Sequence, residues 1–500
     1  MTRLQRRWCE ILPGALVWVT FVISIAFSFW QPLWMIYFVI LFDLYWLLRI
    51  LYFTPFTLLT WRRYRRALKR DWQADAEREP GYDGVYQLIF LPTYKEELPV
   101  VRETLRVLSH VAYPASRMIV VLAGEERDRA RFQGIVDAVR AECENTFFRF
   151  WVTIHPDVPE EIPGKGSNLH FAGETILPQI QALGLDPDQV IVSSFDIDTI
   201  VHLQYFSCLT YTYLTISEPT RSSYQPVAVY NNNLWASPAA VRVAMFGTTF
   251  WLMTELARPE GMMTFSSHSM SLRMLMDVGF WQKDIVSEDS RIFLQGLAHY
   301  HGHYRVTPIY LPVSMDTVMT GNYGQALVAL YKQLRRWAWG VENFPYLIEH
   351  ILSDPLIPRR AKIGWVFKQL EGMYTWATAP FLIFILGYLP FFLSPERFRS
   401  FVIFQNTPFT LQWLMRLAMI GLFVSAGLSL TLLPPRPQTL SRSYAYTIMV
   451  LQWALLPVTF ILFGAIPAID AQTRFMLGKP LGFLVSPKRT ASASPLHGSR

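Results

Sequence analysis

Apolar residues along the chain fall into two blocks that flank a mixed central region. Ile11–Phe42 runs for 32 residues without a charge. At ~1.5 Å of rise per residue, ~20 helical residues cross a bilayer core. Gln31-Pro32 interrupts the run, so it reads as a hairpin with spans over about 12–30 and 33–54. The first span is too long for a signal peptide, lacks a small-residue cleavage site and leads straight into a second span. The apolar pattern returns in Gly372–Pro395, in Thr410–Leu433 (with Arg416 inside it) and in Ser443–Ile469, each long enough to span. Just before them, Pro358–Gln369 mixes Arg359, Arg360, Lys362 and Lys368 with Ile363, Trp365, Val366 and Phe367. That mixture predicts an amphipathic helix in the membrane interface.

Between the blocks, charges of both signs return. Short β-rich runs (Tyr86–Leu91, Met118–Leu122, Phe148–Ile154, Val190–Ser194) alternate with helical patterns such as Leu98–His110 and Asp128–Cys143. The alternation predicts an α/β domain with a mostly parallel sheet covered by helices. The expected boundaries are a hairpin over 1–58, a catalytic-sized domain over 59–355, an interface helix over 356–370, membrane helices over 371–470 and a tail over 471–500.

Composition sharpens this reading. Only 17% of the 500 residues are charged and 52% are apolar, the opposite of a disordered chain. Three cysteines cannot make a disulfide framework. Arg3, Arg6 and Arg7 precede the hairpin, and Arg62, Arg63, Arg65, Arg66, Lys69 and Arg70 follow it, which puts both ends in the cytoplasm. The second basic run reads as an anchor to anionic membrane lipid, and no nucleic acid is expected. Asp43 is costly within its span unless paired, whereas Arg49 is near enough to the interface to snorkel.

Several constellations could carry chemistry. Asp196-Ile197-Asp198 follows the strand Val190–Ser194. Two carboxylates at a strand's C-terminal end suit one hard divalent cation, although Asp-x-Asp is also an ordinary surface turn. In Pro163-Gly164-Lys165-Gly166-Ser167-Asn168, two glycines let backbone N–H groups approach an anion beside a lysine; an ordinary turn has the same composition. Glu288-Asp289 stands at a helix start, as dipole compensation or as a general base. Gln333, Arg336 and Trp337 open an aromatic and basic stretch, an interfacial belt or a site for a diphosphate and a sugar. His299, His301 and His303 would share one face of a strand and form a rival metal site.

In chain order, Pro92-Thr93-Tyr94-Lys95-Glu96-Glu97, Lys165-Gly166-Ser167-Asn168, Asp196-x-Asp198, Glu288-Asp289 and Gln333-x-x-Arg336-Trp337 lie between two membrane blocks, and this set resembles the membrane-embedded family 2 glycosyltransferases, the group of cellulose, chitin and hyaluronan synthases. The resemblance spans about residues 85–345 and implies a Rossmann-like GT-A fold and inverting transfer. It implies that Tyr94, Glu96, Lys165 and Asn168 hold the nucleotide sugar, and that Asp196 and Asp198 meet its diphosphate through Mg²⁺ or Mn²⁺. Asp289 would be the base, with Glu288 beside it, and Gln333, Arg336 and Trp337 would hold the acceptor and the leaving diphosphate. Phe483, Val485, Ser486 and Lys488 resemble a gating loop, with Ser for the family's Thr. The chain departs from the family at Lys95, where Asn is usual, and at Glu125, where an Asp contacts the base. It departs again at Phe265-Ser266-Ser267-His268, so Ser267 and His268 are the acceptor-side candidates.

The expectation is an inner-membrane, multi-pass transferase with a cytoplasmic catalytic domain. It would move sugar from a nucleotide-sugar donor, a UDP-sugar ahead of a GDP-sugar, to a growing glycan, with processive synthesis coupled to export. The alternatives are single addition to a lipid-linked acceptor and, in another class, a transporter or channel with a cytoplasmic regulatory domain. No partner subunit is assigned. Five spans would put the tail outside, against its Arg474, Lys479, Lys488 and Arg489. A cytoplasmic tail requires one broken or re-entrant C-terminal stretch, for which Pro457 and Pro467 nominate the last.

Overall fold

A computed structural model describes residues 1–481; the expected gating-loop residues Phe483, Val485, Ser486 and Lys488 lie outside them. The hairpin consists of helices α1 (Arg3–Trp30) and α2 (Pro32–Ala67), separated by Gln31 alone. Pro32 takes the start of α2, where its missing N–H costs nothing. Thr2 and Gln5 close a capping box at the start of α1.

The central domain is built on an eight-stranded sheet of order β3-β2-β1-β4-β7-β6-β8-β5. The strands are β1 (Tyr86–Pro92), β2 (Met118–Glu125), β3 (Arg149–His155), β4 (Val190–Ser194), β5 (Ile200–Val201), β6 (Ser222–Tyr230), β7 (His268–Ser271) and β8 (Arg305–Met315). Crossover helices α3 (Leu98–Leu108), α4 (Arg129–Thr146) and α5 (Lys165–Ala182) join the first four. Those four pair in parallel, and their cores, such as Leu88–Leu91 and Met118–Ala123, are closed to solvent. Burial on both faces explains why they read as unbroken apolar runs.

The other half is mixed: β7 is antiparallel to β4 and to β6, β5 is antiparallel to β8, and β6 is parallel to β8. The antiparallel β4–β7 pairing sets Ser194 opposite His268, so the segment entering β7 meets the segment leaving β4. Helices α6 (Tyr205–Thr215), α7 (Ala239–Leu256), α8 (Glu288–His299) and α9 (Tyr323–Ala338) complete the domain. His299 closes α8 rather than lying on a strand, and His301 bonds Asp354 at 2.8 Å. No group of three or more His, Cys, Asp or Glu residues fit for a metal occurs among the described residues.

The C-terminal block holds α10 (Arg359–Phe384), α11 (Val402–Thr431) and α12 (Arg442–Met476). The charged stretch from Arg359 to Lys368 and the apolar run after it form one helix. It bends by 43° at Ile385 into Leu386–Leu393. Among the described residues, four helices (α1, α2, α11 and α12) are long and apolar enough to cross a membrane, or five with that bent pair. Within α2, Arg49 and Tyr45 both bond Glu371 of α10, so Arg49 is paired inside the bundle instead of reaching outward.

Helix α12 meets the central domain at two places 18 residues apart. Gln452 accepts from Arg242 of α7 at 2.6 Å, and Trp453 lies 6.3 and 6.1 Å from Phe246 and Phe250. Further along, Asp470 pairs with Arg335 of α9 at 2.8 Å, and Phe475 packs on Trp339. Both the middle and the C-terminal part of α12 therefore meet the central domain. Pro457 and Pro467 are absorbed by a tighter 3₁₀ turn at Gln452–Leu455 and a wider π turn at Phe460–Ala465. Each turn contains or adjoins the carbonyl that the proline ring would strike four residues back. The sharp bend lies at Ile385, outside the last segment.

Candidate active site

The candidate residues gather at the C-terminal ends of β1, β2 and β4, where open α/β sheets hold ligands. Beyond β4, Phe195 donates its N–H to the Phe90 carbonyl and is fully buried, which turns Asp196 outward. Asp196 keeps its side chain 31% exposed, and its Oδ2 accepts from Ser266 at 2.7 Å. Asp198 is only 2% exposed, and its Oδ2 accepts the Asp316 N–H at 2.9 Å.

Lys165 is the first residue of α5. Its Nζ lies 2.8 Å from Asp289 Oδ1, 3.0 Å from Asp196 Oδ1 and 3.6 Å from Glu288 Oε1. Burial alone would push this ammonium down, but the charges of Asp196, Asp289 and Glu288 hold it well above the usual lysine range. Burial, and then the charge of Asp289, push the Glu288 carboxyl upward. Gly166 allows the approach, because a Cβ there would lie 2.9 Å from the Gln282 carbonyl and 3.2 Å from Glu288 Cβ. Asn168 is buried on the next turn and donates to the Ala123 carbonyl at 3.0 Å, tying α5 to β2.

At the β1–β2 edge, Arg127 lies over the Tyr94 ring at 4.7 Å and donates to buried Glu125. Burial raises the Glu125 carboxyl against the opposing pull of Arg127. Lys95 takes a left-handed φ of 59°, a conformation Asn tolerates better. Asp128 and Arg131 pin its backbone at 2.7 and 3.1 Å. Glu96 lines a shallow depression with Arg131 and Ile135.

On the opposite side, Ser267 and His268 are both closed to solvent. Ser267 adopts φ 61°, bonds Thr199 at 2.8 Å and accepts the Asp196 N–H at 3.5 Å, whereas the hydroxyl that reaches the Asp196 carboxylate is that of Ser266. His268 Nδ1 is 2.9 Å from the Phe265 carbonyl, which fixes the tautomer with its proton there, and 3.9 Å from Asp289 Oδ1. Burial pushes this imidazole down to about 4, so it is neutral at pH 7.

Trp337 stands between Tyr230 (5.8 Å) and Phe265 (5.7 Å), and Trp251 extends the row at 5.9 Å from Phe265. Gln333 is buried one turn before Trp337 on α9. Arg336, on the same helix, contributes positive charge to Glu288 and Tyr230. The sequence nominated neither Tyr230 nor, within Phe265-Ser266-Ser267-His268, Ser266. Tyr230 closes β6, and this strand-end position was the signal available for it. Its hydroxyl is held protonated by burial and by the charges of Asp196, Asp198 and Asp289.

No family model matches the sequence, and neither does any curated protein. Among solved structures, the chain is similar to the mannosyltransferase PcManGT from Pyrobaculum calidifontis in complex with GDP-Man and Mn²⁺. Identity is 14% and TM-score 0.42, over 88% of this chain and 100% of that one. It is also similar to S. aureus TarS 1–349 in complex with UDP-GlcNAc, at 13% identity and TM-score 0.35, over 69% and 92% of the two chains.

Proposed function

We propose that the protein is an inverting membrane glycosyltransferase that moves a sugar from a nucleotide-sugar donor to a growing glycan. The observation that carries this reading is the convergence on Lys165 Nζ of Asp196, Glu288 and Asp289, carboxylates from two separated motifs. Such a cluster has the charges that a sugar diphosphate and a hydroxyl acceptor require.

Asp289 accepts the acceptor hydroxyl's proton as that oxygen bonds to the anomeric carbon. The bond from that carbon to the diphosphate breaks, and the nucleoside diphosphate leaves with the electron pair. Burial and the charge of Asp289 raise the Glu288 carboxyl, so Glu288 is the one of the pair that yields its charge more readily and leaves Asp289 as the base. Lys165 and Arg336 offset the negative charge of the leaving group. Tyr94, with Arg127 and Glu125, offers a nucleoside platform, and Trp337, Phe265 and Tyr230 offer apolar faces to the acceptor sugar.

Asp196, the more open of its pair, fits Mg²⁺ or Mn²⁺, with Asp198 behind it. A metal held by one or two carboxylates and the substrate's own phosphates needs no complete protein cage. When bound, such a cation neutralises diphosphate charge.

The spans and the basic flanks favour a plasma-membrane location with the catalytic domain inside. We assign the crossings to α1, α2, α10 and α11, with α12 along the membrane surface. Proximity of α9 and α12 to the site favours processive synthesis with export. The test is a screen of nucleotide sugars for metal-dependent release of nucleoside diphosphate, followed by product sizing on a gel. Asp289→Asn should abolish transfer and keep donor binding; unimpaired transfer would sink the reading. A product extended by one sugar would leave the transferase and remove the processive step.

A further inference from the structure

Ser287 begins α8, the helix that carries Glu288 and Asp289. Serine there ordinarily turns its oxygen toward the helix's first free N–H groups. Ser287 does not cap α8. Its hydroxyl donates instead to Glu342 Oε1 at 2.7 Å. The same oxygen accepts the N–H of Ser287 at 2.7 Å and the N–H of Val286 at 2.9 Å. The other oxygen, Oε2, accepts Trp339 Nε1 at 3.0 Å.

One turn into α8, Arg291 donates to the Glu342 carbonyl at 3.0 Å and to Asn343 Oδ1 at 2.7 Å, and Asn343 donates to Ser290 at 2.8 Å. The first turn of α8 is thus gripped from both sides by two adjacent residues. They lie just past α9, which carries Gln333, Arg336 and Trp337.

We infer that Glu342 is a positioning residue, which sets the orientation of Glu288 and Asp289 through the backbone of Val286 and Ser287 and ties it to the segment that bears Arg336 and Trp337. This rests on the reading of Asp289 as the base. The carboxylate touches no reacting atom. It acts because a base must meet its proton at hydrogen-bond range, and a shift of about 1 Å can cost ~100-fold in rate.

The test uses the full-length protein in detergent or reconstituted membranes. Glu342→Ala removes all four bonds and should lower kcat about 100-fold while donor Kd stays within about twofold. Glu342→Gln is isosteric and guards against misfolding. Its amide can still accept at one end, but it turns a donor toward either Trp339 or the Val286–Ser287 backbone, so kcat should fall about tenfold. Trp339→Phe removes the opposing donor, so in the double variant the two losses should be smaller than their product.

A merely structural role would instead give losses that follow the melting temperature, multiply in the double variant and weaken donor binding alike, and that outcome overturns the inference. Wild-type kcat in both Glu342 variants, with Asp289→Asn inactive, overturns it alone. Transfer retained by Asp289→Asn overturns the assignment of the base and this inference with it.

Discussion

Lys165 Nζ and Asp289 Oδ1 are 2.8 Å apart, although 124 residues separate them in the chain. The same ammonium is 3.0 Å from Asp196, so one lysine joins the end of β4 to the start of α8. Replacing it with Met keeps most of the volume and strands the carboxylates against one another. Breaking one side of a buried ion cluster costs about 3–5 kcal/mol, and the partial exposure of Asp196 and Asp289 brings the expected loss to about 2–3 kcal/mol. Lys165→Met should therefore lower the melting temperature, and added Mg²⁺ should restore more of it in the variant than in the wild type. Equal responses to Mg²⁺ in thermal melts would count against Lys165 as the charge that balances this cluster.

Gly166 sets how closely α5 approaches that start. An alanine Cβ would meet the Gln282 carbonyl at 2.9 Å, a backbone atom with little freedom to move. Alanine gains up to ~1 kcal/mol in helix propensity, whereas overpacking costs about 1–3 kcal/mol. Gly166→Ala should be destabilised by about 1 kcal/mol and lose at least tenfold in kcat, because Lys165 moves with the helix end. Melting curves and initial rates on one preparation check both; a stabilised and fully active variant would refute the close approach.

The parallel half of the sheet was legible because Val190–Ser194 and its neighbours are buried on both faces and read as continuous apolar runs. The antiparallel half was hidden. His268–Ser271 is a short strand of His, Ser, Met and Ser, and its buried hydroxyls are satisfied by tertiary partners such as Ser193, 2.7 Å from Ser269. The resemblance implied that Lys165, Asp196 and Asp289 serve one substrate, but neither their contact through Lys165 nor the role of Ser266 was readable, since the latter depends on the β4–β7 register. Glu342 had no pattern to mark it. The placement of α12 was equally unreadable, because an uncharged run has the same composition whether lipid or Phe246 and Phe250 lie against it.

His268 gives the fold an acid sensitivity. Its imidazole titrates near 6.5 when unfolded and is pushed down to about 4 by burial in the native state. Below about pH 6.5 the unfolded chain binds a proton that the folded chain refuses. This contribution is full above pH 6.5 and is lost as pH falls toward 4, at ~1.4 kcal/mol per pH unit and about 3 kcal/mol in all. His268→Asn keeps a donor for the Phe265 carbonyl and removes the titration. Denaturant unfolding between pH 7 and pH 4 should show the wild type losing stability faster than the variant. Parallel curves would exclude His268 as the source.

Helix α12 supplies the decisive test of topology. The 18 residues from Gln452 to Asp470 would extend ~27 Å as a straight helix, close to the ~30 Å of a bilayer core, enough to carry one contact well away from a domain touched at the other. Yet Gln452 bonds Arg242 and Asp470 bonds Arg335, both in the central domain. Along this stretch Leu451, Leu455, Val458, Phe460 and Leu462 are exposed, whereas Gln452, Trp453, Thr459 and Phe463 are buried, so the segment leaves an apolar surface uncovered. The proposed placement of α12 along the membrane surface, beside α1 and α10, follows from domain contacts at two places and an uncovered apolar surface between them. Crossings by α1, α2, α10 and α11 then make an even number, and residues 439 and 479 share the cytoplasm with the catalytic domain. In a chain with Cys9, Cys143 and Cys208 replaced, single cysteines at Ser400, Thr439 and Lys479 report the side of each position to a membrane-impermeant maleimide. Ser400→Cys should be labelled on intact cells, and Thr439→Cys and Lys479→Cys only after permeabilisation. Labelling of Thr439→Cys and Lys479→Cys from opposite sides would make α12 a true span and overturn the surface placement.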